Sequence, residues 1–340
     1  MEKTVLVTGI SGFIAKHVAK EFLEAGYKVR GTVRSKAKSG NVLAMLKPYS
    51  ARSELELVEA DLVSDKGWTE AVEGCTYVAH VASPFPLVQP KDDSELIRPA
   101  VDGTLRVLNA SRDAGVERVV QTSSLVAVMH GHTKDKSHFT EDDWTNIESP
   151  HTTVYAKSKT LAERAAREFA AENSKGMKFC TVNPGVVWGP TLDGEFGSSL
   201  SILQMLLEGK YPGCPKLCFP VVDVRDVARM HRLAMETTEP TGGRYFAVAD
   251  TVWMLQAARA LKRELGERAR KVPPRELPNF IVRLVAIVDP AVRAVLPDLG
   301  RQINIDNGRT KKALGMDFIT VDEAAVSGAL SLLQHGAVRV

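Results

Sequence analysis

The sequence has few of the features that would predict a membrane protein, a disulfide-rich scaffold or a nucleic-acid-binding protein. Its 340 residues include only four cysteines, and the net charge is +3. No apolar run approaches the roughly 20 residues that a membrane-spanning helix requires. The first residues lead straight into a strand-like run, without the charged region of a secretory signal. A charge this small predicts no nucleic-acid surface. We therefore expect a cytoplasmic protein that binds neither nucleic acid nor a membrane.

Cysteine and histidine are also too sparse to predict a metal site. The cysteines are Cys75, Cys180, Cys214 and Cys218. Cys214 and Cys218 are close enough in sequence to form a redox pair, although a cytosolic chain of this size more often keeps such thiols reduced. His130, His132 and His138 lie near one another, but no cysteine or carboxylate stands beside them at ligand spacing. We expect no metal.

The first half of the chain alternates apolar runs that predict strands with amphipathic stretches that predict helices. The predicted strands are 5–7, 27–33, 55–58, 77–81, 116–121 and 178–182. The predicted helices are 14–25, 94–114 and 153–173. Buried strands separated by helices favour a parallel sheet that is covered on both faces. Because such crossovers are right-handed, the expected fold is α/β, with a Rossmann-like, doubly wound parallel sheet.

A glycine turn lies between the first predicted strand and the first predicted helix. Gly9, Gly12 and Ala15 have the spacing Gly-x-x-Gly-x-x-Ala. Glycines at this place allow the backbone to approach a pyrophosphate at the helix N-terminus. The alternative is a tight turn that uses glycine for conformational reasons alone. We predict cofactor contacts from Gly9, Ser11, Gly12, Phe13 and Ile14.

The end of the second predicted strand carries a cation where NAD enzymes carry an acid. Arg34 occupies this position, with Lys36 and Lys38 close by. A guanidinium can hold a 2′-phosphate with paired hydrogen bonds, which a carboxylate would repel. The alternative is a set of ordinary surface cations, but we predict NADP(H), with contacts from Arg34 and Lys38. Asp61 and Leu62, after the third strand, are predicted adenine contacts, although Asp61 could equally cap the next turn.

Four polar side chains follow at positions that suit proton transfer. The fifth predicted strand runs into Ser123 and Ser124, and Tyr155 and Lys159 open a helix some thirty residues later. Residues four apart on a helix share a face, about 6 Å apart. A nearby ammonium lowers the pKa of a phenol from its ordinary value near ~10. A lone pair of this kind could be an exposed helix pair, but its register with the glycine turn and the serines favours a catalytic set.

Taken together, these motifs resemble the extended short-chain dehydrogenases over about residues 4–235. The matching residues are 8–15, 61–62, 122–124, Tyr155 with Lys159, 183–185 and 223–228. The chain is most similar to the branch of dihydroflavonol reductases and aldehyde/ketone reductases, through residues 31–34, 80–84, 97–104 and 158–163. Many extended relatives carry an Asn where Ala100 stands, so no fourth catalytic residue is expected.

The resemblance implies a role for individual residues. Ser124 is implied as the catalytic serine, Tyr155 as the proton donor and Lys159 as the residue that holds the nicotinamide ribose. The further cofactor contacts that it implies are Val81, Ala82, Ser83, Thr122, Ser123, Tyr155, Lys159, Pro184, Gly185 and Val187. The substrate contacts that it implies are Pro84, Ser124, Val128 and Tyr155.

Two departures from relatives limit the choice of substrate. Plant dihydroflavonol reductases place an Asn that grips the flavonoid ring where this chain has Val128. Cinnamoyl-CoA reductases carry Asn-Trp-Tyr-Cys-Tyr at the active tyrosine, where residues 152–155 here are Thr-Thr-Val-Tyr. Neither natural substrate is expected. An apolar pocket or plain core is suggested by Leu192, Phe196, Leu200, Leu203, Met205 and Leu206.

After Pro184 the regular alternation ends, which predicts two parts. We expect residues 1–185 to form an NADP-binding Rossmann domain, with a return segment near 219–235. Residues 186–340 should form mainly a smaller, C-terminal substrate-binding lobe over the carboxyl ends of the strands, where open α/β sheets bind ligands.

The expected activity is reversible NADPH-dependent reduction of an aldehyde or ketone to an alcohol by a monomer or homodimer. One alternative is a nucleotide-sugar epimerase or dehydratase that retains NAD, against which Arg34 argues. Another is a regulator that senses NADP without catalysis. Such proteins commonly lack the tyrosine that this chain has at Tyr155.

Overall fold

The computed structural model describes residues 3–51, 53–84, 92–239, 241–289, 292–293 and 295–339, without the side chain of Lys38. The strands, in chain order, are β1 (Thr4–Val7), β2 (Lys28–Val33), β3 (Leu55–Glu59), β4 (Tyr77–His80), β5 (Arg118–Thr122), β6 (His138–Phe139), β7 (Lys178–Pro184), β8 (Val186–Trp188), β9 (Cys218–Asp223), β10 (Gly243–Ala247), β11 (Asp250–Trp253) and β12 (Asn304–Ile305). The helices are α1 (Phe13–Glu24), α2 (Gly40–Leu46), α3 (Trp68–Val72), α4 (Ser94–Asp113), α5 (Val154–Glu172), α6 (Ser198–Leu207), α7 (Val224–Glu236), α8 (Met254–Leu265), α9 (Asn279–Val288), α10 (Gly308–Leu314) and α11 (Val321–Gln334).

The main sheet has seven parallel strands in the order β3-β2-β1-β4-β5-β7-β10. Val5 of β1 lies opposite Val29 on one side and Tyr77 on the other. The chain winds outward in one direction from β1 to β3 and in the other from β4 to β10, so the order reverses between β1 and β4. A ligand crevice is expected at this reversal. The predicted doubly wound, Rossmann-like sheet is confirmed.

Helices cover both faces of this sheet because its strands are apolar on both. Val5 and Val7 belong to one buried cluster, while Leu6 between them belongs to another. This alternation follows from the opposite directions of successive side chains in a strand. The first cluster is covered by α1, through Phe22, and by α7. The second is covered by α4 and by α5, through Phe169.

The smaller lobe is built on a three-stranded sheet in the order β11-β9-β8. Its β9 pairs parallel with β8 and antiparallel with β11. Helices α6, α8 and α11 pack with this sheet around a core that includes Trp188, Leu203, Leu261 and Leu332. The two-residue strands β6 and β12 pair in parallel and so connect the first half of the chain with the second.

The predicted return segment near 219–235 contains α7, which packs in the layer that covers the main sheet. Helix α7 lies against α1, whereas β9, which precedes it, belongs to the lobe. The strand that returns is β10, in which Tyr245 lies opposite Val182 of β7. The division of the chain at residue 185 stays a prediction.

The described residues also bear on membrane spans, metal ligands and disulfides. Within these ranges no helix is both long and apolar enough to span a membrane, and no three His, Cys, Asp or Glu side chains gather as metal ligands would. The four cysteines, all of them described, are buried and form no disulfide.

Candidate active site

A cavity of about 880 Å³ lies at the carboxyl edge of the main sheet. It collects nearly all of the residues that the sequence predicts to contact a cofactor. The predicted residues that line it are Gly9, Ser11, Gly12, Phe13, Ile14, Arg34, Asp61, Leu62, Val81, Ala82, Ser83, Pro84, Thr122, Ser123, Ser124, Tyr155, Lys159, Pro184, Gly185 and Val187. The side chain of Lys38 lies outside the described residues, so its predicted contact stays a prediction.

The glycine turn brings the ends of three strands together in the wall of this cavity. Gly9 has a φ of +64°, and a Cβ on it would lie 3.0 Å from the Cβ of Ala82. Its N–H donates to the hydroxyl oxygen of Thr32, 2.8 Å away. The N-cap residue Gly12 has no side chain to cap α1. Since the first N–H groups of a helix attract anions, this turn fits a pyrophosphate.

The segment after β4 is held in place by the buried hydroxyl of Thr8, the residue that follows β1. The hydroxyl oxygen of Thr8 accepts from the N–H of Ala82 at 2.9 Å and shares a hydrogen bond with Nδ1 of His80 at 3.0 Å. Burial lowers the pKa of His80 to about 3, so its imidazole is neutral at pH 7. This network fixes the backbone of Val81 and Ala82 along the wall of the cavity.

The far end of the cavity is where the ends of β2 and β3 meet. Arg34 is exposed at this edge, and Asp61 and Leu62 lie beside it in the cavity wall. The Asp61 carboxylate also accepts from the N–H of Val63 at 3.2 Å, so it stabilises the local turn as well. The arrangement places the cation of Arg34 at the end of β2.

The three predicted catalytic side chains converge at the opposite end of the cavity. Tyr155 and Lys159 lie in the first two turns of α5, which Thr153 caps by accepting from the N–H of Ala156 at 3.2 Å. The ammonium of Lys159 points to the carbonyl oxygen of Thr122, 3.5 Å away. Ser124 follows β5, and its hydroxyl donates to the carbonyl oxygen of Pro184 at 3.5 Å.

Burial controls the ionisation of both titratable groups of this set. It raises the pKa of Tyr155 to about 12 and lowers that of Lys159 to about 8, against the opposing field of the Glu163 carboxylate. The direction for Tyr155 is opposite to the one that its spacing from Lys159 predicts, because removing the phenol from water disfavours its charged form. Tyr155 is therefore a neutral phenol at pH 7, which is the form that can donate a proton.

Val128 lies apart from the cavity that the other predicted substrate contacts line. It is fully buried in a cluster with Leu125, Phe139 and Phe246, and it is not part of the cavity wall. The residues after Ser124 form a 3-10 turn, which directs Val128 into this cluster. Val128 therefore packs in this cluster, and its implied substrate contact stays a prediction.

A stretch of the lobe that no sequence pattern indicates closes the cavity over α1. Residues 195–199, just before and within the start of α6, line the cavity beside Phe13. Of this stretch only Phe196 was a predicted pocket residue. Leu200, Leu203 and Leu206 instead lie in the lobe core, fully buried. Acidic and small residues are typical of any surface loop, so the sequence of residues 193–199 does not indicate that they line a binding site.

Comparisons with known proteins agree with this geometry. Residues 5–249 match the family described as "NAD dependent epimerase/dehydratase family". The ketoreductase azaE of Aspergillus niger is 31% identical, over 98% of this chain and 99% of the relative. Cinnamoyl-CoA reductase 1 of rice is 37% identical, over 78% of this chain and 77% of the relative.

A solved structure is also similar over nearly the whole chain. The yeast methylglyoxal/isovaleraldehyde reductase Gre2, complexed with NADPH, has a TM-score of 0.81 and is 27% identical, with 98% of this chain and 99% of that chain covered. The resemblance seen in the motifs is thereby confirmed: the chain belongs to the NAD-dependent epimerase/dehydratase family, the extended short-chain dehydrogenases.

Proposed function

We propose that the chain reduces a small aldehyde or ketone to its alcohol with NADPH, reversibly, and that Tyr155 is the proton donor. The observation that carries this proposal is the convergence of Ser124, Tyr155 and Lys159 at one end of a cavity whose other end carries Arg34. The relatives are named as reductases, and the yeast enzyme is complexed with NADPH. These names confirm the prediction of an NADP-dependent oxidoreductase.

The residues of the cavity fit this cofactor along its whole length. The uncapped start of α1 suits the pyrophosphate, and the backbone at Gly9 leaves no room for a side chain. Arg34 suits a 2′-phosphate, which its guanidinium can hold with two hydrogen bonds. Lys159 suits the hydroxyls of the nicotinamide ribose. When bound, the reduced nicotinamide supplies the hydride that the carbonyl carbon accepts.

The side chains of the protein then supply the proton and the orientation. The neutral phenol of Tyr155 donates its proton to the carbonyl oxygen as negative charge develops there. The hydroxyl of Ser124 donates a hydrogen bond to the same oxygen and so fixes the carbonyl group. The ammonium of Lys159 stabilises the tyrosinate that remains, because an adjacent positive charge favours the ionised phenol.

The test is the consumption of NADPH and NADH with a panel of aromatic aldehydes, β-keto esters, diketones and flavanonols, with the alcohol identified as product. We expect turnover with NADPH on at least one of these classes. Purified protein that carries stoichiometric NAD and shows no carbonyl reduction would favour the nucleotide-sugar epimerase alternative. Tight NADPH binding without turnover on any class would favour a sensing role.

A further inference from the structure

A buried ion pair lies behind the candidate active site, between α5 and β10. Nε of Arg244 donates to Oε1 of Glu163 at 2.6 Å, and both side chains are almost completely buried. Arg244 also donates to the carbonyl oxygens of Glu141 and Asp143, at 2.9 and 2.6 Å. Because burying two charges costs free energy, such a pair persists only where further hydrogen bonds satisfy both partners.

The second oxygen of Glu163 holds the ends of two strands. It accepts from the hydroxyl of Ser123 and from Nδ2 of Asn183, the latter at 2.7 Å. The same Nδ2 lies 3.3 Å from the carbonyl oxygen of Ser124, to which it donates. Ser123 directly precedes Ser124, and Asn183 directly precedes Pro184, which lines the cavity. One carboxylate therefore joins the carboxyl ends of β5 and β7.

We infer that Glu163 is a positioning residue of the proposed reductase. It fixes the backbone that carries Ser124. Its negative charge, one helical turn away, also stabilises the protonated form of Lys159. This inference rests on the proposed function, because it acts through the two side chains to which that function gives roles. Glu163 itself does not line the cavity.

The charges around Lys159 support the electrostatic half of this role. Among the described residues, Glu163 is the charged side chain whose field acts on Lys159, and it opposes the lowering of the Lys159 pKa by burial. On the same helix Tyr155 is neutral at pH 7, because burial raises its pKa to about 12. At the end of β4 His80 is neutral, because burial lowers its pKa to about 3. From β5 the neighbour is the carbonyl oxygen of Thr122.

The decisive variant is Glu163→Gln, with Glu168→Gln on the exposed side of the same helix as its control. We expect Glu163→Gln to lower kcat about tenfold or more, because hydrogen bonds to a buried charge are lost. The NADPH dissociation constant should stay close to that of the wild type. The alkaline limb of the kcat/KM profile should move to lower pH by roughly one unit, since a buried ammonium without its counter-charge loses its proton more easily. Glu168→Gln should change none of these.

Two further variants separate the positioning role from a loss of folding. Glu163→Asp keeps the charge on a shorter side chain, so kcat should fall while the alkaline limb stays. If Glu163→Gln is recovered unfolded because Arg244 is left without its partner, the double variant Glu163→Gln/Arg244→Gln removes both charges. The double variant should fold, and the alkaline limb of its kcat/KM profile should lie at lower pH than that of the wild type. A folded single or double variant with wild-type kcat and a wild-type alkaline limb would overturn the inference.

The outcome for Glu163 is distinguishable from that for the proposed function. If the wild type reduces no carbonyl substrate with NADPH, the proposed function fails, whatever the Glu163 variants do. If Tyr155→Phe turns over carbonyl substrate like the wild type, the role of Tyr155 as proton donor fails. If Tyr155→Phe is inactive while the Glu163 variants behave like the wild type, only the positioning role fails.

Discussion

Lys16 of α1 is buried and forms an ion pair with Asp193 of the segment that precedes α6. The same ammonium lies 3.1 Å from a carboxylate oxygen of Glu195, which lines the cavity. Beside it, Nε2 of His17 lies 2.9 Å from the carbonyl oxygen of Pro190. Two consecutive side chains of the helix that begins at the glycine turn therefore fasten the lobe over the cavity.

Replacing Lys16 should loosen this closure. Lys16→Met leaves Asp193 without its partner, and we expect a loss of roughly 1–3 kcal/mol in the free energy of unfolding. NADPH should dissociate faster, because residues 195–199 are no longer held against α1. Urea denaturation and stopped-flow release of NADPH measure the two effects. The control is Lys20→Met, one turn further along α1, where the ion pair with Glu24 is more exposed. Equal effects of the two variants would contradict a closing role for Lys16.

Arg34 should decide between NADPH and NADH. Arg34→Ala removes the guanidinium at the end of β2, and we expect affinity for NADPH to fall about 10- to 100-fold, the value of a charge-assisted, bidentate contact. Affinity for NADH should change little, since it has no 2′-phosphate. Fluorescence titration with both cofactors measures the ratio, and Lys36→Ala, an exposed cation two residues on, is the control. A parallel loss of NADH and NADPH affinity would show that Arg34 does not select the phosphate.

Buried histidines should make the protein sensitive to acid. Burial lowers the pKa of His17 and of His231 to about 4 and that of His80 to about 3. These groups bind protons in the unfolded chain near pH ~6.5 but not in the folded protein. The contribution of these histidines to the free energy of unfolding is therefore fully present above about pH 6.5 and is lost as the pH falls toward 4. We expect a loss of roughly 1 kcal/mol per histidine at about pH 5.5, measured by urea denaturation between pH 7 and 5. A constant unfolding free energy over this range would contradict the burial of neutral imidazoles.

Gly185 should tolerate no side chain, because it joins the cavity to the lobe. A Cβ at this position would lie 2.3 Å from the carbonyl oxygen of Pro220 in β9, and the backbone cannot yield as a side chain could. We expect Gly185→Ala to lower the free energy of unfolding by about 1–3 kcal/mol, as overpacking does. Gly40→Ala is the matched control, since a Cβ at Gly40 meets no atom within 4 Å. Thermal unfolding of both variants provides the comparison.

Buried apolar strands made most of the main sheet predictable. The predicted bounds of the first five strands and of α1, α4 and α5 differ from those observed by no more than two residues. Apolar residues recur regularly along these elements, and Gly or Asn residues stand near the helix ends. The candidate site was predictable for the same reason, because its side chains lie just after the ends of these strands and in the first turns of α5.

Sequence patterns did not predict the features that depend on buried charged side chains. β10 was missed because Arg244 is its second residue, and a guanidinium predicts an exposed loop unless its partner, Glu163, is known. Lys16 was missed for the same reason. The pKa of Tyr155 depends on how completely α5 is covered, which no spacing along the chain reveals. Each of these features depends on contacts between residues that are far apart in the sequence.

The most direct test of the proposed reductase is the turnover of Tyr155→Phe with a carbonyl substrate that the wild type reduces. We expect kcat to fall about 100- to 10,000-fold, the usual value of a positioned general acid, while the NADPH dissociation constant stays unchanged. Tyr211→Phe, which removes a hydroxyl of the lobe that contacts Met205, should keep wild-type kcat. A Tyr155→Phe protein that binds NADPH and turns over at close to the wild-type rate would contradict the account.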